Sequence, residues 1–174
     1  MTAPLLDRLE THDRALMLRC VIAPTAPRTA KWAWTAVTHL GGTATSIAAA
    51  SVPLFQCCEA RAGSRLALAT LAISHLIVQV IKRTVVRTRP AGAGLPPGLV
   101  REPDRFSFPS GHAAAAMSVA LGYSVAIPAL AAPLLALALL VGFSRVRLGV
   151  HFPGDVLAGQ LIATATAGAV LLAG

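Results

Sequence analysis

The stretch Phe106–Met117, FSFPSGHAAAAM, places Pro109, Ser110, Gly111 and His112 directly before an alanine-rich run. Proline and glycine interrupt regular structure while alanine is the strongest helix former, so the polar trio sits where a helix begins. The apolar run beyond it decides the fold: from Ala113 to Phe143 there are 31 residues without Lys, Arg, Asp or Glu. At about 1.5 Å per residue this is too long for one ordinary bilayer crossing, and Pro128 and Pro133 break it. The run reads as a hairpin of two short apolar helices that turns at IPALAAP.

The rest of the chain has the same character. Of its 174 residues 55% are hydrophobic and 13% charged, with a mean hydropathy of +0.68, outside the range of ordinary soluble domains. Ala33 to Cys58 gives 26 residues without a formal charge, the most secure crossing. Residues 66–81 give 16 more, and the 19 residues after Asp155 carry no charge. The predicted fold class is all-α, a polytopic membrane helical bundle of about five transmembrane helices.

Residues 4–22 differ. Leu5, Leu6, Leu9, Leu16 and Met17 are mixed with Asp7, Arg8, Glu10, Asp13 and Arg14, a pattern that fits an amphipathic helix lying in the membrane interface. A soluble helix packed on the membrane domain is the alternative. Charges interrupt every candidate apolar core, which argues against a secretory signal. With no internal repeat, residues 1–174 read as one membrane domain, residues 1–24 forming the interfacial helix.

Cys20, Cys57 and Cys58 are odd in number and two are adjacent, which suggests neither a disulfide framework nor a zinc site. They read as ordinary apolar residues. The formal charge of +8 does not point to nucleic acid, because the basic residues lack interleaved aromatics and flank apolar spans. A phosphorylated lipid in a bilayer is the better partner.

Three polar clusters carry the chemistry. In KRTVVRTRP, Lys82 and Arg89 are seven apart, so a continuing helix would present both cations on one face before Pro90 stops it. Pro109–His112 opens the third crossing, and SRVRLGVHFPGD, Ser144–Asp155, precedes the last. A hairpin over 113–143 returns Ser144 to the membrane face that holds His112, and one crossing over 66–81 brings Lys82 and Arg89 there too. A helix N-terminus with a Ser-Gly entrance suits phosphate oxygens, and Lys82, Arg89 and Arg145 would neutralise a phosphate dianion. Of His112 and His151, one can attack phosphorus while another group protonates the leaving oxygen. Asp155, four residues after His151, can fix its tautomer.

These segments match K-x6-R-P, P-S-G-H and S-R-x5-H-x3-D, and in them the chain resembles the type 2 phosphatidic acid phosphatase superfamily, which includes vanadium haloperoxidases. The match is complete at every signature position and covers residues 82–155. The resemblance implies a metal-independent lipid phosphatase without a cofactor. In it, Lys82, Arg89, Ser110, Gly111 and Arg145 bind phosphate, His112 is the general acid, and His151, oriented by Asp155, forms a phosphohistidine. The family's usual six helices would here be one interfacial helix plus five crossings. Phosphatidic acid, phosphatidylglycerol phosphate and undecaprenyl or other polyprenyl diphosphates all fit. The Ala, Gly, Arg and Pro content fits a GC-rich bacterial genome. Among small bacterial relatives the resemblance then adds a polyprenyl-phosphoryl pentose 5-phosphate of cell-wall synthesis.

Other readings compete at each position. Arg83, Arg87 and Arg147 read as cations that snorkel to lipid headgroups. His112, His151 and Asp155 are also ordinary zinc ligands, but nothing nearby in sequence completes a shell, so no metal is expected. His75, inside a span with Gln79, reads as an interhelical hydrogen-bonding group, and His12 and His39 receive no role. The connection from Pro90 to Phe108 serves either as a lid touching lipid through Leu95, Leu99, Phe106 and Phe108, or as a connector. The rival functions are a vanadate-dependent oxidant enzyme and a non-catalytic transport or lipid-binding protein. Of the 15 Lys and Arg residues only Arg61 and Arg65 fall on the face opposite the clusters, which places the active site on the cytoplasmic side of a cell inner membrane.

Overall fold

The computed structural model describes residues 3–23, 25–56, 58–102 and 104–173, without the side chains of residues 3–9. Cys57 and the side chains of Leu5, Leu6, Asp7, Arg8 and Leu9 therefore lie outside the described residues. Seven α-helices are arranged in order among the described residues: α1 (Ala3–Cys20), α2 (Arg28–His39), α3 (Thr43–Ser51), α4 (Cys58–Val85), α5 (Gly111–Ala126), α6 (Ala131–Arg147) and α7 (Pro153–Ala173). The expected hairpin is present, with α5 and α6 meeting at a 3-10 turn over Pro128–Leu130.

Small residues let these helices approach, and their spacing decides which face is buried. On α4 the buried positions include Gly63, Ala67, Thr70, Ser74, Val78 and Lys82, a seam at three- and four-residue intervals. A methyl added at Gly122 of α5 would lie 2.6 Å from the Ala67 backbone nitrogen, so only glycine admits that crossing. Hydroxyls close the same seam: Ser74 Oγ lies 3.0 Å from Ser118 Oγ. Tyr123 Oη donates to Ala49 O at 2.8 Å, which leaves Ser64, 2.8 Å away, to donate to Tyr123. The seam of α6 runs through Ala138, Val141 and Gly142 to Arg145, and that of α7 runs from Thr166 and Ala163 through Gly159 to Asp155. At one end of the bundle each seam thus terminates in a charged side chain on its buried face.

Cys58–Val85, Pro128–Arg147 and Pro153–Ala173 are long and apolar enough to cross a membrane. The Ala33–Cys58 run, expected as one continuous crossing, is instead broken at Leu40–Gly42 into α2 and α3, the latter extended by a 3-10 turn over Val52–Phe55. At the break the chain touches the entrance of α5: a methyl on Gly41 would lie 2.8 Å from His112 O and 2.6 Å from Val141 Cγ1, so only glycine fits there. From there α3 runs away from the site, since Arg61 Nε at the start of α4 donates to Leu54 O at 3.0 Å. His75 is also placed differently: it is exposed, and its Nε2 lies 3.4 Å from Gln79 Nε2 on its own helix.

At the charged end α1 docks through Met17, buried with Ala113, Val146, Phe152 and Val156. Ile22 N donates to Arg147 O at 2.9 Å. Leu95 of the long connection packs on the same cluster rather than reaching outward.

Candidate active site

Lys82 and Arg89 converge, though not along a helix. α4 ends at Val85 and Val86 adopts φ 52°, a left-handed conformation costly for a β-branched residue. The chain turns there, and Thr88 pairs with Phe106 in an isolated antiparallel bridge. This folds the connection back so that Asp104 meets both cations. Lys82 Nζ donates to Asp104 Oδ2 at 2.7 Å and to Phe106 O at 3.1 Å. Arg89 donates from Nη2 to Asp104 Oδ1 at 2.9 Å and from Nε to Asp104 O at 2.8 Å. Glu102 Oε2 stands 3.7 Å from Arg89 Nε. Burial pushes the Asp104 carboxyl upward, but hydrogen bonds and charge from Lys82 and Arg89 outweigh it and hold the group below the usual carboxylate range.

Arg145 is the third buried cation. Its Nη1 donates to Thr38 Oγ1 at 2.7 Å, while Nε and Nη2 are buried without a hydrogen-bond partner among the described residues. Orphaned guanidinium donors are costly, and an anion would satisfy them. Ser110 caps α5, its Oγ accepting from Ala113 N at 3.5 Å, and its own N donates to Asp155 O at 2.9 Å. Gly159 lies so close to Ser110 O that any Cβ would collide with it, which locks the α5 entrance to α7. A methyl at Gly111 meets nothing within 4 Å, so the entrance of α5 is open on the side where that Cβ would project.

His151 lies in the turn between α6 and α7. Arg89 Nη1 is 3.3 Å from its Nε2 and also donates to Val150 O at 2.9 Å. A guanidinium only donates, so Nε2 carries the lone pair and the ring proton belongs on Nδ1. Nδ1 faces Asp155 Oδ2 at 3.4 Å, too long for a well-formed hydrogen bond but close enough to set the tautomer. Burial lowers the His151 pKa to about 4, the pull of Asp155 being outweighed and the charges of Arg145 and Arg89 acting in the same direction as burial. The imidazole is neutral at neutral pH. His112, second residue of α5, is half-buried and within electrostatic reach of Arg145, His151, His39 and Arg89.

All eight residues singled out in the sequence, Lys82, Arg89, Ser110, Gly111, His112, Arg145, His151 and Asp155, thus gather at one end of the bundle. The sequence reading missed Thr38, Asp104 and Arg87. Arg87, read there as snorkelling, donates to Asp155 Oδ1 and Asp13 Oδ2, each at 2.7 Å. Arg147 likewise turns inward, donating to Cys20 O at 2.8 Å and lying over Trp34. Two acids in REPDRF, Glu102 and Asp104, inside a strongly basic stretch were the available signal for Asp104.

A helical bundle with three helices long and apolar enough to cross a membrane, which collects buried cations, two histidines and a carboxylate at one end, defines a membrane protein. Its family emerges from comparison: the PAP2 superfamily profile matches residues 64–173, and the chain belongs to that superfamily. It is similar to the decaprenylphosphoryl-5-phosphoribose phosphatase of Mycolicibacterium smegmatis, 43% identical over 91 residues that make up 50% of this chain and 47% of the relative. The protein of the same name from Mycobacterium tuberculosis is 37% identical over 103 residues, 57% of this chain and 54% of that one. The chain spans about half the length of these curated relatives. Among solved structures, the transmembrane PAP2-type phosphatidylglycerolphosphate phosphatase of Bacillus subtilis superposes with a TM-score of 0.71 at 27% identity, covering 94% of this chain and 86% of that one. Aquifex aeolicus LpxE gives 0.71 at 25% identity, covering 84% and 88%. The protein is a membrane protein with the PAP2 phosphatase fold.

Proposed function

We propose that the chain is an integral-membrane lipid phosphatase that removes the terminal phosphate of a polyprenyl-phosphoryl pentose 5-phosphate. The observation that carries this reading is the gathering of Lys82, Arg89 and Arg145, all buried, at the end of the bundle that holds His151, with Arg89 Nη1 3.3 Å from the His151 Nε2 lone pair. Names of the mycobacterial relatives support the substrate class. In the first step His112, held protonated by the bound phosphate dianion, gives its proton to the leaving oxygen as His151 Nε2 attacks phosphorus and the P–O ester bond breaks. Water then attacks the phosphohistidine, His112 takes the proton, and inorganic phosphate departs. Lys82, Arg89, Arg145, Ser110 and Gly111 hold the phosphoryl oxygens throughout, and Asp155 supports the charge that develops on His151.

The test is phosphate release by detergent-purified protein across decaprenylphosphoryl ribose 5-phosphate, phosphatidic acid, phosphatidylglycerol phosphate and undecaprenyl diphosphate. The first substrate is expected to show the highest kcat/KM. Activity should persist in EDTA and be blocked by vanadate, whose five-coordinate form resembles the pentavalent phosphorus of an in-line displacement. Loss on chelation restored by zinc or magnesium would overturn the metal-free mechanism. Absence of phosphate release from every lipid would favour a lipid-binding role.

The reading includes a membrane placement. α3 with its 3-10 turn, α4, α5, α6 and α7 form five crossings, while α1 and α2 lie in the interface, exposing Leu16, Leu18 and Trp32 beside the site. The bias of Lys and Arg toward this end favours the cytoplasmic face of the inner membrane. Omitting the three phosphate-binding cations still leaves 10 there against Arg61 and Arg65. In a background without Cys20, Cys57 and Cys58, a cysteine at exposed Ala91 should be protected from an impermeant thiol reagent in intact spheroplasts, and one at Arg61 labelled. The reverse pattern would put the site outside and leave its chemistry untouched.

A further inference from the structure

Asp155 is fully buried beside an imidazole that is neutral, so its charge has to be balanced from elsewhere. The balancing group is Arg87. Its Nη1 donates to Asp155 Oδ1 at 2.7 Å, and the other carboxylate oxygen, Oδ2, accepts from Phe152 N at 2.8 Å while facing His151 Nδ1. Both oxygens are therefore pinned, and the carboxylate cannot rotate away from the ring. Arg87 is itself fixed: Nη2 donates to Asp13 Oδ2 at 2.7 Å, and its guanidinium carbon lies 4.4 Å from the centroid of the Phe152 ring. The second oxygen of Asp13 accepts from Gly154 N at 2.7 Å, at the start of the helix that carries Asp155. Asp13 also leans on Gly154 so closely that a methyl there would lie 2.8 Å from Oδ2.

The charges matter as much as the contacts. Arg87 alone would cancel Asp155 and leave little negative potential at His151. With Asp13 sharing the guanidinium, the trio Asp13–Arg87–Asp155 keeps one net negative charge, available to stabilise the imidazolium that forms when His151 takes the phosphoryl group. Val86, immediately before Arg87, holds the left-handed φ of 52° that turns the chain off α4 toward Asp155.

Resting on the phosphohistidine reading of the site, we propose that Arg87 and Asp13 are positioning residues for the reaction. Through them the N-terminal helix becomes part of the catalytic apparatus, although neither side chain touches the substrate. They act through Asp155 on His151, and the phosphate-binding cations belong to a separate set of contacts. Arg87→Gln should lower kcat by about 100-fold and Asp13→Asn by about 10-fold, with KM and the inhibition constant of inorganic phosphate within twofold of wild type. Because the two residues act as one unit, the double variant should be no slower than Arg87→Gln alone. Arg87→Lys should recover part of kcat by restoring a single charged contact.

A readout independent of turnover is the Nδ1–H proton resonance of His151 in histidine-labelled protein. It should shift in Arg87→Gln and Asp13→Asn and not in Arg83→Gln, at an exposed position of the same segment. An unshifted resonance with unchanged kcat overturns the proposal. So does a loss of kcat matched by an equal rise in the phosphate inhibition constant, because that is general damage to the site. If Arg87→Gln does not fold, Asp13→Asn and Arg87→Lys carry the same tests. A wild-type protein inactive on every lipid, but with the resonance shifts present, would instead remove the phosphatase reading and leave the coupling of Asp13 and Arg87 to His151 standing.

Discussion

His151→Ala is expected to reduce turnover by on the order of 10⁴-fold or more and to eliminate any acid-labile phosphoenzyme, the largest effect of any single change in this site. The side chain supplies a buried imidazole lone pair beside the cation cluster. Arg89 fixes its tautomer from the Nε2 side at 3.3 Å, and Asp155 faces Nδ1. Burial holds the pKa near 4, below the ordinary value of 6.5, so the ring is in its nucleophilic, unprotonated form throughout the neutral range. An alanine there leaves the phosphate-binding groups in place. Inorganic phosphate should consequently still bind with an inhibition constant within a few-fold of wild type, while rapid-quench trapping with radiolabelled substrate finds no acid-labile phosphoprotein. A phosphoenzyme in His151→Ala would move the nucleophile to another residue.

The residues of this centre were legible because a membrane-embedded chain carries few charges and cannot bury one without cause. Lys82, Arg89, Arg145, His151 and Asp155 stood out against the apolar background, and their spacing on either side of a predicted hairpin sufficed to bring them to one end. Partner choice was less visible. Arg87 lies 74 residues from Asp13 and 68 from Asp155, and nothing in the local pattern separates it from an exposed arginine such as Arg83. Thr38 is likewise an ordinary helix residue until the fold sets it 107 positions away against Arg145. The bend at Gly41 escaped for a related reason. Two glycines in an apolar run are compatible with an unbroken membrane helix, and only the fold shows Gly41 pressed against His112 O and Val141 where no side chain would fit. Lys82 and Arg89 were expected to share a helical face. They meet instead because Asp104, 22 residues beyond Lys82, gathers them from two sides of a turn.

His112→Ala should separate substrates by their leaving groups. A sugar 5-oxygen departs as a strongly basic alkoxide unless it is protonated in the transition state, and a positioned general acid contributes about 10² to 10⁴-fold to such a step. Nitrophenolate needs no proton to leave. His112 belongs to the first turn of α5, whose N-terminus is locked to α7 by Ser110 N donating to Asp155 O at 2.9 Å, so its loss should not displace the phosphate-binding groups. The variant is expected to lose at least about 100-fold on decaprenylphosphoryl ribose 5-phosphate while forming phosphoenzyme from nitrophenyl phosphate at a rate near wild type. By microscopic reversibility the same histidine activates water in the second step, so that phosphoenzyme should persist and nitrophenol should appear as a burst of one equivalent and then slow turnover. Stopped-flow absorbance measures the burst, and quench trapping measures the intermediate. Equal losses on the two substrates, or a burst absent in His112→Ala and present in wild type, would show that His112 binds phosphate rather than moving the proton.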